Sequence, residues 1–150
     1  MKTARLTAAE ALYPLLSTFH EVNGLVLNHV RETRSEECLV EINFDFGAKA
    51  LVLAANEEDD TIHLRSANAT ATRPNSPDEA TSTRPWENYM GKQFGWGWVT
   101  INQQGYLDGV ILSFEGITPQ LLVTVAASSL QIQQIDTSLH LYGRFHPTQS

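Results

Sequence analysis

The residues of this chain best suited to chemistry lie in one run: Phe94-Gly95-Trp96-Gly97-Trp98-Val99-Thr100-Ile101-Asn102-Gln103-Gln104-Gly105-Tyr106-Leu107-Asp108. Read as a strand and then a turn, the run places Phe94, Trp96, Trp98, Thr100 and Asn102 on one face, because successive side chains of a strand alternate. Trp96, Trp98 and Tyr106 would supply stacking surface. Asn102 and Asp108 would orient a bound molecule, since an aromatic-walled pocket needs only a few well-placed polar groups. Trp96, Trp98, Asn102, Tyr106 and Asp108 are therefore the candidate ligand-binding residues. A plainer reading competes with it. The aromatics would fill a core between sheet and helix, and Asn102 and Asp108 would bond to the backbone of a hairpin turn around Gly105. Gly95 and Gly97 leave bare backbone on the other side of the strand, which marks close approach by another backbone, a helix or a ligand.

Other clusters carry weaker chemistry. Glu57-Glu58-Asp59-Asp60 could hold a hard cation or a basic partner, but the spaced carboxylates of a calcium loop are missing, and a solvated turn is expected. The five histidines, His20, His29, His63, His140 and His146, show no zinc-ligand spacing. Ser128, Ser129, Asp136 and His140 are the residue types of a hydrolase triad without a nucleophile elbow. No phosphate-cradling loop and no dinucleotide fingerprint occurs. Cys38 is the single cysteine, so it forms no internal disulfide, and nothing nearby would activate it as a nucleophile. No catalytic residue, metal or cofactor is expected, and a non-enzyme is the favoured reading.

Charge narrows the class of partner. The 150 residues hold 10 Lys and Arg against 17 Asp and Glu, a formal net charge of -7. So acidic a chain lacks the basic face that nucleic-acid binding needs. No apolar run approaches the ~20 residues of a membrane span. The charge is also unevenly spread. Residues 1–66 hold 6 basic and 11 acidic side chains, whereas between Lys92 and Arg144 only Asp108, Glu115 and Asp136 are charged. Polar positions there are filled by Gln, Ser, Thr and Asn. The start of the chain reads as an amphipathic stretch and not as a signal peptide, so a cytoplasmic protein is expected.

The elements that must position these residues follow from hydrophobic period. Thr7 and Glu10 have the spacing of a capping box. Leu6, Ala9, Leu12, Leu16 and Phe19 then form one helical stripe, flawed by Pro14 and closed by Asn23-Gly24. From Leu25 the period becomes two. Strands are expected from Leu25 to Arg34, around Val40 to Phe46, from Ala50 to Ala55 and from Thr61 to Arg65. Residues 67–85 hold three of the six prolines and no large apolar residue, so a mobile loop is expected there. A helical turn from Pro85 to Met90 precedes strands at Phe94–Asn102, Val110–Phe114, Pro119–Ala127 and Leu130–Ile132. A bulge is expected near Gln133-Gln134, and a last short strand around Leu139, Leu141 and Phe145. The two sides of the loop match in outline, four antiparallel strands each. The whole is read as one α+β domain over residues 1–150: an N-terminal helix packed on a curved, mostly antiparallel sheet of about eight short strands, with two pseudo-repeated meanders.

The run GWGWVTINQQGYLDGVILSF, followed by SSLQI, resembles a pattern in a family of small uncharacterised bacterial proteins, many of them cyanobacterial. The pattern is a Trp-rich strand, N-x-Q-G-Y-x-D, an apolar strand ending in Phe, and S-S before the last strand. It covers residues 91–135. The resemblance implies no assigned activity and no catalytic residue. By analogy, small acidic proteins of this kind include immunity proteins that neutralise toxins. The function expected is a non-enzymatic protein-interaction module, immunity-type or adaptor, that engages a basic protein through its acidic surface. The nearly uncharged second half would suit self-association, because interface cores are depleted in charge. The alternative is a small-ligand binder or enzyme built on Trp96, Trp98, Tyr106 and Asp108.

Overall fold

The computed structural model describes residues 8–68, 79–81 and 85–135. Thr7 of the capping box, Leu6 of the helix stripe, residues 69–78 and 82–84 of the expected loop, and the expected last strand around Leu139, Leu141 and Phe145 lie outside the described residues, as do Asp136 and His140.

Helix α1 (Ala8–Val22) runs through Pro14 as one element. Proline costs it one backbone hydrogen bond, and the Thr18 hydroxyl donates to the Pro14 carbonyl at 3.0 Å. Thr18, Phe19 and Val22 are buried, with Leu15 packed beside them. This buried face is rotated from the expected stripe. Leu16 is 41% exposed, for a reason that becomes clear at the site. Gly24, at φ +81°, ends the helix, and its N–H donates to the Phe94 carbonyl at 2.9 Å. Leu25 and Leu27 are connection, not strand. They are tied by backbone hydrogen bonds to Phe94 and Lys92.

The first meander comprises β1 (His29–Ser35), β2 (Cys38–Asp45), β3 (Lys49–Asn56) and β4 (Thr61–Asn68). A short strand β5 (Glu79–Thr81) adds to β1 and completes a sheet of order β4-β3-β2-β1-β5. Part of the stretch expected as loop is therefore strand. Alternation sends Val30, Ile42, Phe44, Leu51, Leu53, Ile62 and Leu64 into the core. The β1–β2 turn uses Glu36 and Glu37 at φ +51° and +69°. Two left-handed residues in succession suit a two-residue hairpin, which usually carries Asn-Gly, so the turn left no signature in the sequence.

After a 3-10 turn at Trp86–Asn88, the second meander comprises β6 (Phe94–Ile101), β7 (Leu107–Phe114), β8 (Leu121–Ala126) and β9 (Ser129–Gln134), in the order β6-β7-β8-β9. The expected bulge near Gln133-Gln134 is absent. Gln133 and Gln134 pair in register with Leu122 and Leu121, and Ile135 leaves the strand with its N–H on the Gln120 carbonyl. The irregularities of this sheet fall in the β6–β7 pairing instead.

Each expected meander is thus its own sheet, and their buried faces share one core. Strand β2 meets β9, β4 meets β7, and α1 packs against β3, β4 and β6. Trp86 lies at the centre of the core, edge-on to Phe44 at 5.2 Å between centroids. Its indole N–H donates to Glu32 Oε2 at 2.7 Å, and Arg34 pairs with the other oxygen at 3.0 Å. A carboxylate 5% exposed is thereby satisfied on both sides, as a buried charge must be.

Candidate functional site

The site begins with two glycines in an edge strand. Phe94 pairs with Phe114 and Trp96 with Ser113, which leaves Gly95 as an extra residue. A bulge of this kind re-aims the side chains that follow it. Phe94, at 2% exposure, points into the core and stacks on Phe19, while Trp96 is 49% exposed. The single face expected for Phe94, Trp96 and Trp98 is therefore divided at the bulge. A Cβ at Gly95 would overlap the Gly116 carbonyl, and one at Gly97 would overlap the Phe19 ring. The bare backbone is occupied on one side by another backbone and on the other by the helix.

Close approach at Gly97 leaves a groove where α1 and β6 diverge. It has a volume of about 390 Å³ and is lined by Leu12, Leu16, Phe19 and His20 from the helix and by Trp96, Gly97, Trp98 and Val99 from the strand. Leu16 faces this groove, which explains why the helical stripe is only partly buried. Trp96 and Trp98 sit with ring centroids 6.5 Å apart and planes tilted by 51°. Beyond Trp96 a second hollow of about 560 Å³ is lined by Gly24, Gln93, Glu115 and Ile117, among others. Tyr13, Ile101, Tyr106 and Ile117 are exposed as well. A contiguous exposed apolar patch marks an interaction site, and Trp96 and Ile117 line the same hollow.

The structure separates the five candidate ligand residues. Trp96 and Trp98 line the groove, whereas Asn102, Tyr106 and Asp108 lie beyond it at the β6–β7 hairpin. Asn102 Oδ1 accepts the N–H groups of Gln104 and Tyr106 at 2.9 and 3.2 Å, and its backbone carbonyl accepts from Gly105 at 2.9 Å. Asp108 is the extra residue of β7 at the second irregularity of this pair, and its carboxylate accepts the Thr100 hydroxyl at 2.8 Å. Leu12 and Leu16 were not among the candidates. Their signal was present, since they belong to the helical stripe, but a stripe alone does not distinguish a core face from a groove wall.

The charges gather elsewhere. In an antiparallel meander the first and third turns share an end, so Glu36-Glu37 and Glu57 to Asp60 lie at one end of the first sheet. Asp60 Oδ1 accepts the Ser128 N–H at 2.7 Å, and the Ser128 hydroxyl donates to the Glu57 carbonyl at 3.3 Å. These bonds bring the β8–β9 turn to the acidic end. The β6–β7 hairpin belongs to the same end of its sheet, about 10 Å away at two strand spacings. The groove therefore runs from the helix C-terminus toward an acidic pole. At the opposite side of α1, Glu21 accepts from Ser66 at 2.8 Å and from Lys49 at 3.4 Å. The Ser66 hydrogen bond, helped by Lys49, holds its carboxyl below the ordinary glutamate value. Among the described residues no cluster of three metal-ligating side chains occurs, and no helix is long and apolar enough to cross a membrane.

Neither the curated proteins nor the solved structures contain a match to the chain. A family model does match, over residues 15–138. The match takes in α1 from Leu15 and the whole first meander, well beyond the Trp-rich pattern at 91–135. The chain belongs to that family, described as a family of unknown function (DUF6334).

Proposed function

We propose that this protein is a non-enzymatic interaction module that docks a basic polypeptide on the face formed by α1 and β6. The observation that carries this reading is the concentration of exposed apolar side chains, Leu16, Trp96 and Ile101 among them, along one helix and one edge strand. Aromatic side chains grouped with large aliphatic ones are the composition of an interface core. The acidic pole at the Ile101 end supplies steering toward a basic partner, which acts mainly on the association rate and is screened by salt. An immunity-type or adaptor role fits both features.

The test is capture from the native cells with the wild-type chain and with Leu16→Arg. The wild-type chain should retain a polypeptide that Leu16→Arg releases, and retention should weaken as salt rises. Equal retention by both forms would refute the reading. The volume of about 390 Å³ also falls in the range of small-molecule sites. A small apolar ligand binding through Trp98, lost in Trp98→Ala without unfolding, is the second reading.

A further inference from the structure

We infer that the α1–β6 groove takes an extended peptide segment, which adds as a strand to the edge of β6 with its basic end at the acidic pole. The inference rests on the reading of this face as a protein-docking surface and specifies how the partner is held.

Among the described residues, strand β6 is terminal in its sheet. On its outer side the connection after α1 reaches it only at the start. Gly24 and Leu25 bond to Phe94, and Val26 bridges to Gln93. From Gly95 to Ile101 no described residue pairs with that side. An unpaired edge presents a row of N–H and C=O groups, and proteins usually blunt it with charge or proline. From Phe94 to Tyr106 this chain has neither. The six residues Trp96–Ile101 span about 20 Å at strand rise, room for a segment of similar length.

The helix makes the edge into a groove. A strand laid beside β6 would place alternate side chains toward Leu12 and Leu16 on one side and toward Trp98 on the other. Backbone hydrogen bonds would give affinity, and the apolar walls would give specificity, as in other cases of strand addition. A docked helix would satisfy its own backbone and leave the edge of β6 unmet. Direction comes from charge. The lining of the groove holds no Lys, Arg, Asp or Glu, while Glu57, Glu58 and Asp59 belong to the turn end toward which Ile101 points. The favoured segment therefore alternates apolar residues and carries Lys or Arg at one end.

A displayed library of random ten-residue peptides, selected against the full chain, tests this. Enriched peptides should alternate apolar residues and end in basic ones. Methylation of alternate backbone nitrogens in a synthetic peptide should weaken binding tenfold or more, with methylation of the intervening ones tolerated. Leu16→Arg, checked for folding by circular dichroism, should abolish binding. Peptides with apolar residues at helical spacing that still require Leu16 would overturn strand addition while leaving the docking surface intact. Peptides indifferent to Leu16→Arg, or none enriched, would overturn both. A dimer of this chain that Leu16→Arg abolishes would make a second copy the occupant and overturn the basic segment.

Discussion

At Gly97 the backbone of β6 touches the Phe19 ring, and that contact sets how near the helix can come to the strand. Gly97→Ala must push Phe19 or the strand aside, an overpacking of the kind that costs about 1–3 kcal/mol, which a denaturant melt would register as a lower midpoint at unchanged slope. Glu32 is a second critical residue. Glu32→Ala would strand the Trp86 indole N–H in the core, with an expected loss of about 1–3 kcal/mol in the same melt. Glu21 gives a pH dependence. Its folded-state pKa lies below its unfolded value of about 4.5, so its contribution is full above that value and disappears as pH falls through the folded one. Glu21→Gln should therefore be less stable than wild type at neutral pH, with the difference closing in acid below pH 4.5. A gap that stayed constant down the acid limb would contradict the Ser66 and Lys49 contacts as its origin.

The meanders were legible at the scale of elements, because Val40, Ile42, Phe44 and Val110, Leu112, Phe114 alternate cleanly. Gly95 and Gly97 likewise announced a close approach. What stayed hidden arose from single residues that break a period. Gly95 adds one residue to β6 and sends Phe94 and Trp96 to opposite faces, which alternation alone cannot foresee. The Glu36-Glu37 turn uses left-handed glutamates that no turn rule favours. Strand β5 exists only as a partner of β1, since Glu79-Ala80-Thr81 has no strand pattern of its own. The hairpin also makes a prediction. Asn102→Ala removes two side-chain acceptor bonds and should cost about 1 kcal/mol. Leu16→Arg, exposed and facing solvent in the groove, should change stability by no more than about 0.5 kcal/mol, so that its effect on binding reads as surface chemistry and not as unfolding.

Across the whole molecule the formal charge of -7 divides into an acidic pole, built from the turns of the first meander, and an uncharged groove, built from α1 and the second. The two features lie toward the same end of the second sheet, about 10 Å apart at two strand spacings. The central claim is that this face receives a polypeptide, and a photo-crosslinking residue placed at position 16 tests it most directly, with position 88, exposed beside β9 at the far edge of the second sheet, as the control. The account predicts a crosslinked partner at position 16 that is absent at position 88 and diminishes with added salt. Equal crosslinking at both positions, or none at 16, would contradict it.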